Sequence, residues 1–117
     1  MSPKKAAKKK PPGTGKRTDI TVELRANGTI VPLYPRLSEA GGDRVRWWNK
    51  DARGHTITFQ IWPFVQAPGP IPVDPGKKSK WLTILPSAAQ RGYDYDIDPP
   101  IAVPGQPPDS PAVVAEA

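Results

Sequence analysis

Cysteine is absent from this chain of 117 residues, and its absence excludes disulfides, thiolate metal ligands and cysteine nucleophiles together. Histidine occurs once, at His55, and methionine once, at Met1. No apolar run approaches the roughly 20 residues of a transmembrane helix. The lysine-rich start is followed by PPGTG instead of the apolar segment of a signal peptide. We therefore expect a cytoplasmic protein without a transmembrane segment.

Long helices are excluded as well, because proline occurs 17 times and recurs throughout the chain from Pro32 onward. Proline lacks an N–H group and clashes with the preceding helical turn. All the tryptophan, tyrosine and phenylalanine residues lie between Asp19 and Ile101. The composition predicts one all-β domain over residues 19–117 with a modest core.

Positive charge is concentrated at the N-terminus. Residues 1–17 carry seven cations and no carboxylate, whereas the rest of the chain carries ten basic and eleven acidic side chains. We predict a disordered, lysine-rich arm over residues 1–18, since so polar a segment cannot offset its ordering entropy. Such charge runs often bind polyanions such as nucleic acids, and a solubility tail is the alternative. The candidate contacts are Lys4, Lys5, Lys8, Lys9, Lys10, Lys16 and Arg17.

The clearest pattern in the chain is the segment Gly42–Phe59, with the sequence GDRVRWWNKDARGHTITF. Apolar and polar residues alternate on both sides of the polar turn, which is typical of half-buried strands. We predict a β-hairpin whose first strand directs Val45 and Trp47 to the core. The outward side chains Arg44, Arg46 and Trp48 form a possible surface contact, with Trp48 as a cation–π partner between the two arginines.

Other segments add short strands separated by turn signals. Alternation predicts strands over Asp19–Leu24, Thr29–Leu33, Lys77–Leu85, Tyr93–Asp98 and Ala112–Val114. In Lys77–Leu85, either Leu82 and Ile84 or Trp81 and Leu85 face inward. The proline-rich segment after Gln60 is predicted to be a loop, with Trp62 and Phe64 as a lid on the core. About seven short strands indicate a Greek-key sandwich or barrel.

Several motifs together resemble the cupredoxins. GDRVRWWN and HTITF are similar to the family's G-D-x-V-x-W-x-N and H-T-[VI]-x-F, and PGKKSKW, GYDYD and DSPAVVAEA follow in the expected order. The resemblance implies a cupredoxin-like sandwich, with His55 at the first copper-ligand position and Ile97 at the cysteine position. Blue copper requires two histidines and a cysteine thiolate. The resemblance therefore implies the fold without the copper ligands, and we expect no cofactor.

Two further interpretations involve the segment around His55: a base-stacking surface and a metal site. VRWWNKDARGHTITF superficially resembles the base-stacking surface of cold-shock domains, but His55, Thr56 and Ile57 replace the aromatic residues of its second motif. A non-blue metal site could combine His55 with the aspartates of YDYDID, Asp94, Asp96 and Asp98. A lone imidazole is a weak metal site, so packing or one hydrogen bond is the favoured role of His55.

No constellation indicates catalysis, because no nucleophile stands at motif spacing from His55 and no metal cluster appears. We expect a non-catalytic binding module that docks a protein partner. Its arm would contact a polyanion, such as nucleic acid, or an acidic partner. One alternative is an assembly component that uses its sandwich edges and proline-rich loops. The other is a metal-binding protein that uses His55.

Overall fold

The computed structural model describes residues 17–101 and 110–117. These residues form nine strands and no helix, so no helix among them is long and apolar enough to cross a membrane. The predicted all-β class is confirmed. Most of the predicted disordered arm, residues 1–16, lies outside the described residues. The strands are β1 Asp19–Arg25, β2 Ile30–Val31, β3 Arg36–Ser38, β4 Arg44–Lys50, β5 His55–Phe59, β6 Ile71–Val73, β7 Leu82–Thr83, β8 Gly92–Asp98 and β9 Ala112–Glu116.

The strands form two sheets that enclose one core. The first sheet has the order β3-β9-β8-β5-β6 and the second the order β2-β1-β4-β7. The pairs β1–β4 and β3–β9 are parallel, and the other pairs are antiparallel. Parallel neighbours need crossovers, and here the chain makes them by passing from one sheet to the other. This confirms the predicted sandwich.

The predicted hairpin at Gly42–Phe59 is wrong in its pairing, although both strands are present. β4 pairs with β1 and β7, whereas β5 pairs with β6 and β8 in the opposite sheet. Each strand has one buried apolar face, with Val45 and Trp47 on β4 and Ile57 on β5. A sandwich buries these faces against each other across the core, which a flat hairpin cannot do.

Aromatic side chains fill the centre of the core. Phe59 contacts four rings, with centroids 5.9 Å from Trp47, 5.1 Å from Tyr95, 5.2 Å from Phe64 and 5.9 Å from Trp62. Most of these contacts are edge-to-face, the arrangement that ring quadrupoles favour. Phe64 is buried and Trp62 half-buried, so the predicted lid over the core is confirmed.

The proline-rich segment after Gln60, predicted to be a loop, contains a short strand, β6. β6 lies at the edge of the five-stranded sheet, where Pro72 stands opposite Thr56 and faces outward. Proline is tolerated at a sheet edge because no ladder hydrogen bond is lost there. A tight turn follows this strand: Gly76 has a φ of 74°, and the Lys77 N–H donates to the Asp74 carbonyl at 3.0 Å.

The strand predicted over Lys77–Leu85 is interrupted by a β-bulge. Val45 lies opposite Leu82, whereas Trp48 lies opposite Lys78. Three steps along β4 therefore match four steps along its partner, which defines a bulge with one extra residue. The Ser79 hydroxyl accepts a hydrogen bond from the Trp47 N–H at 3.0 Å and so completes the ladder inside the bulge.

The bulge decides which side chains face the solvent. Lys80 is exposed and Trp81 half-buried, and alternation resumes at Leu82 and Ile84, which are both fully buried. The sequence left open whether Leu82 and Ile84 or Trp81 and Leu85 face the core, and the structure selects the first pair. As a result, the outer face of the four-stranded sheet gains Trp81.

Candidate functional site

Two polar residues of the GDRVRWWN motif, Asp43 and Asn49, are buried and hold loops in place. The Asp43 carboxylate accepts hydrogen bonds from the backbone N–H groups of Thr18 and Ser38, both at 2.8 Å. It thereby ties the start of β1 to the end of β3. Buried polar groups are costly unless they are hydrogen-bonded, so the role of this side chain is structural.

Asn49 organises the crossing from β4 to β5 in the same way. Its amide nitrogen donates to the carbonyls of Arg53, at 2.6 Å, and Val73, at 2.9 Å. Its amide oxygen accepts the N–H of Asp51 at 2.9 Å. This fully buried side chain therefore connects the turn to both sheets.

His55 is only 2% exposed, and an oxygen atom faces each of its ring nitrogens. Nδ1 lies 2.6 Å from the Pro99 carbonyl oxygen, and Nε2 lies 2.8 Å from Oδ2 of Asp51. The hydrogen bond with His55 is the main cause that lowers the pKa of Asp51. Because a protein oxygen atom lies within hydrogen-bonding distance of each ring nitrogen and the ring is buried, neither nitrogen is open to a metal ion.

The proposed metal partners of His55 do not converge on it. Asp94, Asp96 and Asp98 point outward from β8 at alternate positions and are exposed. Within residues 17–101 and 110–117, no three side chains of His, Cys, Asp or Glu come together as a metal site would require. Ile97, at the position of the copper-binding cysteine in the resemblance, is a half-buried residue packed against the core. The residues present do not fit a blue-copper centre.

The outer face of the four-stranded sheet carries two tryptophans that cations cover. Lys50 and Lys78 each place Nζ 4.6 Å from the centroid of Trp48. Trp81 is contacted in the same way by Arg44, at 4.6 Å, and Arg46, at 4.1 Å, measured from Cζ. Trp48 is thus a cation–π partner as predicted, but lysines replace the two predicted arginines.

Carboxylates neutralise one side of this face. Asp19 pairs with Arg44 at 2.7 Å and with Arg17 at 3.0 Å, and the hydrogen bond with Arg44 is the main cause that lowers the Asp19 pKa. Glu23 similarly binds Arg25 at 3.0 Å and Lys50 at 3.5 Å, and Arg25 is the main cause that lowers its pKa. All these pairs are centred on β1.

The other side of the face keeps its positive charge. Arg46 donates from Nε to the Thr21 hydroxyl at 3.1 Å, and no carboxylate of the described chain pairs with its guanidinium. Lys78, whose Nζ lies over Trp48 on this face, is exposed, and so is Lys80, two residues further along the chain. Neither lysine has a salt-bridge partner among the described residues. We call Arg46, Lys78 and Lys80, together with Trp48 and Trp81, the cationic strip.

The residues that the sequence predicted to be functional have different positions in the structure. Arg46 and Trp48 belong to the cationic strip, while Arg44 and Arg17 are bound to Asp19. The lysine candidates of the arm, from Lys4 to Lys16, lie outside the described residues. Lys78, Lys80 and Trp81 were not among the predicted functional residues, although the cations and the tryptophan of KKSKW were an available signal.

Comparison with known proteins gives a fold assignment. No family model matches the chain, and no curated protein sequence matches it. Among solved structures, a Cu(I) form of an amicyanin variant matches with a TM-score of 0.57 and 22% identity, over 84% of this chain and 82% of that one. A purple cupredoxin from Nitrosopumilus maritimus matches with a TM-score of 0.56 and 16% identity, over 84% and 100%.

A third match extends to a larger enzyme. The copper-containing nitrite reductase from Thermus scotoductus SA-01 matches with a TM-score of 0.56 and 15% identity, over 85% of this chain but only 22% of the enzyme. The likeness in each case is one of fold. The chain itself has one histidine and no cysteine. The protein therefore has a cupredoxin-like fold and lacks the blue-copper ligand set.

Proposed function

We propose that the protein is a non-catalytic binding module for polyanions, with nucleic acid as the principal ligand, and that it binds through the cationic strip and the N-terminal arm. The observation that carries this proposal is the excess of unneutralised cations on one side of the sheet face. Arg46, Lys78 and Lys80 have no carboxylate partner among the described residues, which favours an external anion as their partner.

The position of the arm supports the same proposal. Arg17 pairs with Asp19 at the start of β1, and the Arg44 N–H donates to the Thr18 carbonyl at 2.9 Å. The six lysines that precede Arg17 are therefore attached at one end of the same face. Cations that neutralise phosphates release condensed counterions, and this release supplies affinity that depends on salt but little on sequence.

The non-catalytic part of the proposal rests on His55. General acid–base catalysis requires a group within hydrogen-bonding reach of the substrate. Both nitrogens of His55 are held by oxygen atoms of the protein, and its side chain is fully buried. A fold of this kind hosts many functions, so the proposal depends on the face and not on the fold.

The experiment compares two triple variants that remove the same charge. The strip variant carries Arg46→Gln, Lys78→Gln and Lys80→Gln, and the control carries Arg36→Gln, Arg53→Gln and Arg91→Gln, all of which lie away from the face. We expect the strip variant to bind a fluorescent single-stranded oligonucleotide at least about tenfold more weakly and to lower the salt slope by roughly 2. The control should stay close to the wild type in a salt-titrated anisotropy assay. Equal effects of the two variants would contradict a localised site.

A second candidate function is assembly, which exposed apolar residues favour. Ile61 and Val65 in the proline-rich segment are 53% and 57% exposed. Exposed apolar side chains can contribute to protein–protein contacts. A protein partner or a second copy of the chain could cover them without involving the cationic strip. Light scattering at micromolar concentration measures such self-association.

A further inference from the structure

A groove lies next to the cationic strip and shares two residues with it. Its volume is about 470 Å³, within the ~300–1,000 Å³ range of small-ligand sites. Its lining includes Trp62, Pro68, Pro70, Pro72, Lys78 and Lys80. The lining therefore combines apolar rings with the two lysines that have no carboxylate partner among the described residues.

The aromatic wall of the groove is held rigidly. The Trp62 indole N–H donates to the Gln66 carbonyl at 2.6 Å. Its ring packs edge-to-face on Phe59, at 5.9 Å between centroids, and on Phe64, at 5.2 Å. The half-buried indole is thus fixed by core contacts while it still lines the groove. Prolines, whose φ is fixed, make up much of the remaining apolar wall.

We infer that this groove receives a base of a single-stranded nucleic acid whose phosphates lie along Lys78, Lys80 and Arg46. The inference rests on the proposed polyanion function and narrows its ligand to single strands. Unpaired bases stack on aromatic side chains, whereas the bases of a duplex are stacked on each other and cannot enter. An acidic peptide would pair with the lysines, but its carboxylate side chains would not stack on the rings that line the groove.

The test compares three probes of equal phosphate number: a thymidine oligonucleotide, its abasic counterpart and a duplex of the same charge. Wild-type protein should bind the thymidine strand at least about tenfold more tightly than the abasic strand at the same salt concentration. Trp62→Leu should remove this preference and leave the affinity for the abasic strand unchanged. Trp48→Leu, on the strip outside the groove lining, is the matched control and should retain the preference.

A second measurement uses the unaltered protein, because Trp62 also packs on the core. Photo-crosslinking of a bromouracil-containing strand, read by mass spectrometry, should label the peptide that contains Trp62. Crosslinks confined to the peptides with Trp48 or Trp81 would overturn the inference, and so would displacement of the strand by poly-glutamate as efficient as displacement by a thymidine strand.

The outcomes separate this inference from the proposed function. If the thymidine, abasic and duplex probes all bind equally and with the same salt slope, the groove does not read bases, while polyanion binding stands. If none of the three probes binds at low salt, the proposed function fails and the inference fails with it.

Discussion

Replacement of the six arm lysines by glutamine is expected to weaken binding to a single-stranded oligonucleotide by at least about 100-fold at low salt. The residues are Lys4, Lys5, Lys8, Lys9, Lys10 and Lys16. Each lysine that neutralises a phosphate adds about 0.7 to the salt slope for single strands. The change should therefore lower that slope by up to about 4, and salt-titrated anisotropy measures both quantities.

Two controls accompany this arm variant. Deletion of residues 1–16 should reproduce its effect, because the proposal assigns the contribution to charge and not to a folded structure. The unfolding midpoint of the remaining domain should not change, since the deletion leaves intact every strand of the described residues. An unchanged salt slope after lysine replacement would show that the arm does not contact the ligand.

Trp47→Ala is expected to destabilise the domain by about 3–5 kcal/mol, whereas the neighbouring Trp48→Ala should cost less than about 1.5 kcal/mol. Trp47 is fully buried and contacts Phe59 and Tyr95 at 5.9 and 5.3 Å between ring centroids. Its removal leaves a large cavity. Trp48 packs only partly, and its alanine variant loses mainly the contacts with Lys50 and Lys78.

Urea unfolding measures these losses of stability. In oligonucleotide binding the order should be reversed, with Trp48→Ala lowering the affinity more than Trp47→Ala does. A small domain has about 5–15 kcal/mol of stability in total, so Trp47→Ala should lower the unfolding midpoint strongly. Trp48→Ala should leave the fold intact and weaken binding at the strip. Equal destabilisation by the two variants would contradict the assignment of Trp47 to the core and Trp48 to the outer face.

The sequence predicted the local structure well where burial alternates. Val45 and Trp47 on β4 are buried as predicted, and in the predicted strand β8 the alternate residues Tyr93 and Tyr95 are buried as well. Strand partners were less predictable, because alternation identifies a buried face but not the sheet that covers it. The segment Gly42–Phe59 therefore has the expected strands, which lie in two different sheets.

The cationic strip could be predicted only in part. Arg44 and Arg46 alternate identically in the sequence, yet Asp19 neutralises the first and not the second, because the parallel register of β1 and β4 places Asp19 opposite Arg44. Thr21 stands opposite Arg46 and offers only a hydroxyl. Trp81 joins the face through the bulge, and a single extra residue is invisible to period-two patterns.

The buried polar residues of the cupredoxin-like motifs explain why the resemblance predicted the fold better than it predicted a metal site. Asp43 and Asn49 hold loops through buried hydrogen bonds. His55 follows the same principle, since its two nitrogens tie Asp51 to the Pro99 carbonyl. In this chain the three side chains have structural roles that do not depend on a bound metal, so the motif by itself does not identify a metal site.

The central claim, that a polyanion binds on the outer face of the four-stranded sheet, is tested most directly by NMR. The protein has four tryptophans, and each gives one indole N–H resonance in a ¹⁵N-labelled sample. Titration with a single-stranded oligonucleotide should shift the resonances of Trp48 and Trp81 while that of buried Trp47 stays in place. Shifts confined to the backbone around His55 or to the exposed aspartates of β8, with Trp48 and Trp81 unmoved, would contradict the account.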